Sequence, residues 1–164
     1  MVVGAASASR AAERSSEAGE YACAQAWAAL TAAHAQIAGL LASALGRQCD
    51  LTINDFEILL RLGRASEDGP RAALRLGELQ SAVPLTQPAL SRAVARMAGR
   101  GWLARSSAPG DGRGVLVAIT GGGREVLRRA IPVHASTIRS ALLDRLSETE
   151  QALLADVLRR LVAG

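Results

Sequence analysis

The chain contains no lysine: all 19 basic residues are arginine. Aromatic residues make up only 2% of it, namely Tyr21, Trp27, Phe56 and Trp102. There are two cysteines, Cys23 and Cys49, and two histidines, His34 and His134. Each scarcity excludes something. Two cysteines without paired spacing give neither a disulfide scaffold nor a thiolate zinc site. Two histidines far apart, with no cysteine pair or carboxylate cluster, give no metal-binding motif, so no metal and no cofactor is expected. There is no Gly-x-Ser-x-Gly elbow and no carboxylate pair. Gly121-Gly122-Gly123 stands between a strand and a helix, but a dinucleotide turn needs a further glycine where Val126 stands. An enzyme is therefore not expected. The stretch Met1 to Glu20 is small, polar and mixed in charge, without the apolar core of a signal peptide, so a cytoplasmic location is expected.

What is present is aliphatic and helix-forming. Hydrophobic residues make up 49% of 164 residues, mostly Ala, Leu and Val, which suits a folded, α-rich protein. Charge is uneven. Between Arg71 and Arg129 ten arginines face only Glu78, Asp111 and Glu125, a local excess of +7. The rest of the chain carries nine arginines and twelve acids, or −3. A basic centre between acidic ends points to a polyanion for the centre alone. Arginine is suited to that partner because its planar fork binds phosphate and guanine edges through two hydrogen bonds at once.

The segment from Leu85 to Gly101 concentrates these features. Leu90, Val94 and Met97 share one apolar face at helical spacing, while Arg92, Arg96 and Arg100 form a stripe roughly opposite. Thr86 stands at the N-cap position, Pro88 suits the first turn, and Gly99 and Gly101 end the helix. Gln87 and Ser91 place short polar groups in the first turns. This is the pattern of a helix that enters a major groove, and equally of a solvated amphipathic helix. Its neighbours decide between them. Gly77 to Ala82 reads as a short helix with Leu79 inward, and Val83 to Gln87 as a tight turn, which together give helix-turn-helix spacing. Trp102 to Ser106 and Val115 to Ile119 read as strands around the turn-rich loop 108–114, a hairpin placed like the wing of a winged helix.

The flanks read as helices. Residues 1–16 are expected to form a flexible tail. A first helix from about Glu17 to Leu45 carries Trp27, Leu30, His34, Ile37 and Leu41 on one stripe. It has no formal charge from Tyr21 to Gly46, a length that could span a bilayer. It is nevertheless Ala-rich and holds Gln25, Thr31, His34, Gln36 and Ser43, so a partner-facing helix is expected rather than a membrane span. A second helix opens at Thr52, paired with Asp55 in an acidic form of the capping box. Beyond the wing, Thr120 caps a helix that Pro132 is expected to kink. The run Ser147-Glu148-Thr149-Glu150 is a capping box for a last helix with Leu153, Leu154, Val157, Leu158 and Leu161 on one face.

In this order and spacing the chain resembles the MarR family of bacterial transcription regulators. The resemblance covers roughly residues 20–162. It rests on Arg75-Leu76-Gly77-Glu78-Leu79, on Gln87 to Val94, on Arg100-Gly101-Trp102-Leu103-Ala104-Arg105 and on Asp111-Gly112-Arg113. It continues with Ile119-Thr120 and Gly123, Ile131-Pro132-Val133-His134, and Leu146 to Glu150. It implies a mainly α fold with a small β wing: a winged helix-turn-helix lobe plus a helical dimerisation region. The expected layout is the tail at 1–16, a dimerisation helix at 17–50, the DNA-binding domain at 51–119 and dimerisation helices at 120–164.

The same resemblance implies a sequence-specific, ligand- or stress-responsive repressor that binds double-stranded DNA as a homodimer. It brings Pro88 and Arg92 to the bases, and Gln87, Ser91 and Arg96 on the same helix join them as candidate DNA contacts. It also places Arg113 in a minor groove, held by Asp111. Arg96 and Arg100 are open between phosphate contact and salt bridges. A small aromatic or anionic effector would be lined by Trp27, His34 and Phe56, residues that read more readily as packed interface. Cys23 is a candidate redox sensor with only Tyr21 nearby to activate it; a structural thiol is the other reading. Departures from the family pattern are Gly77 where a capping Ser or Thr is usual, Gly112 in the wing, and the Gly121-Gly122-Gly123 triple. The rival to a DNA-binding role is a winged-helix module whose basic face binds an acidic protein.

Overall fold

The structure is a computed structural model that describes residues 3–67, 73–108 and 111–163, with side chains described for 19–66, 73–107 and 114–163. Six helices and three strands follow in the order α1 (Val3–Cys49), α2 (Ile53–Glu67), β1 (Ala73–Arg75), α3 (Leu76–Ala82), α4 (Gln87–Gly99), β2 (Leu103–Ala108), β3 (Asp111–Ile119), α5 (Gly121–Ala141) and α6 (Glu148–Val162), with a 3₁₀ turn at Leu143–Arg145. The mainly α fold with a β wing is therefore present. The chain divides into two compact units, Met1–Gly39 and Leu40–Gly164.

The first unit is the N-terminal part of α1. The helix begins at Val3, well before Glu17, so it runs through residues that the sequence reading leaves as a tail. Alanine supplies the reason, since it enters a helix at the least cost in conformational freedom. Tyr21 and Trp27 are 68% and 67% exposed, and Leu30 is also exposed. By length and composition the Gly19–Cys49 part of α1 is long and apolar enough to cross a membrane.

The second unit holds the core. Leu41, Ala44, Leu45 and Cys49 at the end of α1 are buried. The largest core cluster joins Leu45 and Cys49 to Phe56, Ile58, Leu59 and Leu62 of α2, Leu79 of α3 and the apolar face of α4. Val117 and Ile119 of β3 and Val126, Leu127 and Ala130 of α5 complete it. Both capping boxes form. The Asp55 N–H donates to the Thr52 hydroxyl and the Thr52 N–H to the Asp55 carboxylate, each at 3.1 Å. Likewise the Ser147 hydroxyl accepts from the Glu150 N–H, and the Glu150 carboxylate accepts from the Ser147 N–H. The Ser147 hydroxyl and backbone bonds hold the Glu150 carboxyl below the usual carboxylate range. α5 runs on through Pro132 to Ala141, anchored by its buried Val126, Leu127 and Ala130.

The sheet has strand order β1-β3-β2, antiparallel throughout, with Leu74 opposite Val117 and Arg105 opposite Val117 on the other side. The hairpin strands are longer than the local sequence suggests: β2 reaches Ala108 and β3 begins at Asp111. Cross-strand pairing extends the ladder to Ala108 opposite Asp111, past a shift in register after Ser107 opposite Val115 that takes up residues 112–114 and their two glycines.

Gly123, the last of the glycine triple, sits where nothing larger fits. A Cβ on it would lie 2.1 Å from the Trp102 carbonyl oxygen and 2.8 Å from Ile119 Cγ1. The triple thus allows α5 to start hard against the corner after α4. Gly123→Ala should cost about 1–3 kcal/mol through overpacking, read as a lower urea midpoint at unchanged slope. A midpoint equal to that of the native chain would show that the corner yields freely.

Candidate nucleic-acid interface

α4 is built by burial on one side and punctuation at both ends. Leu90, Ala93, Val94 and Met97 are buried. Gln87, Pro88, Ser91, Arg92, Arg96 and Arg100 are exposed. At the N-terminus Thr86 occupies the cap position through its backbone alone: its carbonyl accepts from the Leu90 N–H at 2.9 Å, and its side chain makes no cap bond. Pro88 lies in the first turn. Before it, α3 opens with the Arg75 N–H donating to the Glu78 carboxylate at 2.7 Å. The N-cap is thus Arg75, and Gly77, where the sequence reading placed the missing capping residue, lies inside the first turn.

The C-terminal end of α4 is a Schellman motif. The Gly101 N–H donates to the Ala98 carbonyl (2.9 Å) and the Trp102 N–H to the Met97 carbonyl (3.0 Å), with Gly101 at φ +75°. β2 therefore leaves in a fixed direction. Thr120, at the other end of the hairpin, returns to the same corner. Its N–H donates to the Trp102 carbonyl at 3.0 Å, its hydroxyl lies 2.7 Å from the Gly101 carbonyl, and it caps α5 by accepting from the Gly123 N–H. The helix end, the wing base and the start of α5 meet at this point.

The three arginines of the stripe have different surroundings. Arg96 forms an ion pair through Nη2 with Asp55 Oδ1; the Asp55 side chain is only 3% exposed and that of Arg96 is 47% exposed. Arg100 pairs with Asp50 Oδ2 at 3.0 Å, donates to the Asp50 carbonyl at 3.1 Å and lies over the Trp102 ring at 4.8 Å. Asp50 itself sits at φ 54°, in the left-handed conformation between α1 and α2. Arg92 makes no hydrogen bond or ion pair among the described residues. Asp55 was legible in the sequence only as a cap; its pairing with Arg96, 41 residues on, left no local signal.

Two hollows flank α4. One of about 210 Å³ is lined by Thr52, Asn54, Leu85, Ala89, Arg92, Ala93 and Arg96. The other, about 300 Å³, lies between Gln87, Gly114, Val115 and the start of α3. Gln87 thus stands beside the wing, and Arg92 and Arg96 beside the start of α2. Asp111 and Arg113 fall in β3 by backbone, and their side chains lie outside the described residues.

Of the other expected sites, Cys23, Trp27 and His34 are all exposed in the first unit. Phe56 belongs to the second unit, is 2% exposed and stacks on His134 with ring centroids 4.6 Å apart. Cys49 is buried. Among the described residues no three His, Cys, Asp or Glu side chains gather as a metal site.

Comparisons with known proteins bear on this arrangement. The model of the MarR family matches residues 49–114. The multiple antibiotic resistance protein MarR of Escherichia coli (strain K12) is 27% identical over 113 residues, 69% of this chain and 74% of that protein. Among solved structures, Sco3205 of Streptomyces coelicolor is a MarR family transcriptional regulator in complex with DNA. It is 32% identical, aligns over 84% of this chain and 86% of its own, and has a TM-score of 0.75. BpsR of Bordetella bronchiseptica, whose DNA binding is regulated by 6-hydroxynicotinic acid, is 24% identical over 84% of this chain and 98% of its own. Its TM-score of 0.71 speaks to the fold alone.

Thr120→Val keeps the volume of this side chain and removes its hydroxyl. It should cost about 1–2 kcal/mol, from a lost helix cap and a lost bond to the corner, read by urea unfolding. A loss below about 0.5 kcal/mol, the scatter of neutral surface changes, would show that the hydroxyl does not hold the wing to the end of α4.

Proposed function

This chain belongs to the MarR family of transcription regulators, and we propose that it is a sequence-specific repressor which binds a pseudo-palindromic operator as a homodimer. The observation that carries this reading is the exposed first half of α4. Gln87, Pro88, Ser91 and Arg92 stand together on the side opposite the buried face, and Arg92 has no partner among the described residues. Such a helix fits a major groove, where an arginine fork reads guanine. The hairpin β2–β3 begins directly after it, and the reading gives its Arg113 to the neighbouring minor groove, with Asp111 to hold it.

Homodimerisation is supported by apolar surface left uncovered in each unit. α6 buries none of its residues, and Leu153, Leu154, Val157, Leu158 and Leu161 are exposed. In α1, Tyr21, Trp27 and Leu30 are exposed. Apolar surface of this kind marks an interaction site, and a second copy provides a matching surface by symmetry. The uncharged part of α1 is then partner-facing, and the protein works in the cytoplasm, where its DNA is. Two-fold symmetry sets half-sites about 10 bp apart, or a multiple of that. Release follows if a small aromatic or anionic effector, or oxidation, favours a dimer whose lobes no longer match that spacing.

The deciding experiment is a binding titration against the intergenic DNA upstream of the protein's own gene, beside a scrambled duplex, at about 150 mM salt. Selectivity of about a thousandfold or more is expected. Equal, weak binding to both would turn the assignment towards a module that binds an acidic protein. Within the same assay, Arg92→Ala should cost on the order of 1–3 kcal/mol and relax the preference at one base pair. A uniform loss across sequences would place Arg92 on phosphate. Arg113→Ala should weaken sites with A·T-rich flanks most, and an equal loss at G·C-rich flanks would remove it from the minor groove.

A further inference from the structure

The arginine stripe of α4 looks, in sequence, like three equivalent DNA-facing charges. The structure separates them. Asp55 is a buried carboxylate with both oxygens in use: Oδ2 accepts from the Thr52 N–H at 3.1 Å and Oδ1 from Arg96 Nη2. A carboxylate that is 3% exposed needs a counter-charge, because an unpaired ion in such a place is strongly disfavoured. Arg96 is that counter-charge, and an approaching phosphate would meet the Asp55 charge along with it. Arg100, one turn further, is drawn to Asp50 and to the Trp102 face. Arg92 alone of the three has no partner among the described residues.

We infer that Asp55 is a positioning residue for operator recognition: it withholds the charge of Arg96 from DNA and uses that arginine to fix α4 against the start of α2. The inference rests on the DNA-binding reading given above. Its chemistry is that of an internal competitor for the phosphate backbone. Asp55 lowers sequence-blind attraction at the one face where the basic centre meets DNA. The same ion pair holds the orientation in which Gln87, Ser91 and Arg92 are presented. Discrimination gains twice, from a weaker background and from a fixed helix.

The test measures the salt dependence of binding to operator and to a scrambled duplex. Counterion release gives a slope of about 0.9 in log Kobs against log salt for each phosphate neutralised. Asp55→Asn keeps an acceptor for the Thr52 N–H, so α2 retains its cap, but loses the charge that holds Arg96. For this variant the slope on scrambled DNA should steepen by about 0.9 per subunit, with tighter scrambled binding and a lower operator-to-scrambled ratio. Glu148→Gln on α6, an equal change in net charge, should leave the slope as it is. Arg96→Gln should lower the melting temperature and the selectivity while leaving the slope unchanged, and adding it to Asp55→Asn should cancel the steeper slope. A purely structural ion pair would lower stability in the Asp55 and Arg96 variants and move no slope.

Two results overturn the inference. One is a slope that falls by about 0.9 per subunit in Arg96→Gln alone, which would show Arg96 on phosphate in the native protein. The other is an Asp55→Asn slope and scrambled affinity equal to the native values. Should Asp55→Asn fail to fold, Asp55→Ser, which also offers the Thr52 N–H an acceptor without a charge, takes its place with the same expected slope, and a slope and scrambled affinity equal to the native values in it overturn the inference. If the native chain shows no operator selectivity, the DNA-binding reading itself fails, and that result is visible before any variant is made.

Discussion

The corner formed by Gly101, Trp102 and Thr120 is the constraint on which the DNA-binding lobe depends. Three directions are set there: the exit of α4, the base of the wing and the entry of α5. Gly101 takes a positive φ, which lets the chain reverse at the end of α4. The Trp102 N–H then goes back to Met97, and its carbonyl accepts from the Thr120 N–H. Gly123 packs so close that a single Cβ would overlap the Trp102 carbonyl. None of these groups is placed to touch DNA, yet the angle between recognition helix and wing is determined by them. On the proposed reading, with α4 in a major groove and the wing in a minor groove, that angle must be held, because an error in one contact displaces the other.

A second level of constraint is electrostatic. Arg96 and Arg100 are pulled back to Asp55 and Asp50, on either side of the junction between α1 and α2. The two pairs are not equal. Asp50 is 84% exposed and Arg100 39% exposed, so their attraction is screened by water and contributes little to stability. Arg100 gains more from its place over Trp102, where it shields one face of the ring. Asp55 is the opposite case, buried and doubly bonded, and its ion pair is the tie that holds α4 to α2. The local excess of +7 in the sequence therefore overstates the charge that this helix offers a partner. Part of it neutralises acids that lie outside the basic stretch.

These contrasts show what could be read from the chain. Capping boxes were legible because donor and acceptor stand three residues apart: Thr52 with Asp55, and Ser147 with Glu150. The buried face of α4 was legible because it repeats at helical spacing. Thr86 was legible as a cap position but not in its bonding: its carbonyl takes the first helical bond, while its side chain makes no cap bond. The strand extents were missed because the pair that ends the hairpin, Ala108 opposite Asp111 beyond a shift in register at residues 112–114, is absent from any local window. The Gly121-Gly122-Gly123 triple read only as a departure from the family pattern; the structure makes Gly123 a requirement of packing against Trp102. The partner of Arg96 was invisible for the same reason as the strand extents: nothing local joins residues 55 and 96.

Chemistry is divided along the chain in a way that suits a regulator. The uncharged part of α1 and the aliphatic face of α6 carry little that could read a nucleic acid and much that water disfavours. The lobe between them carries the arginines. If a second copy covers the apolar faces, the two tasks are coupled by mass action: a dimer that binds operator is stabilised by it, and its stability depends on its own concentration. Symmetry then doubles each phosphate contact and each withheld arginine, so a single ion pair such as Asp55–Arg96 acts twice in every complex. A small local choice between an acid and a phosphate is thereby amplified in the salt dependence of the whole dimer, where selection between one operator and a genome of competing sites is made.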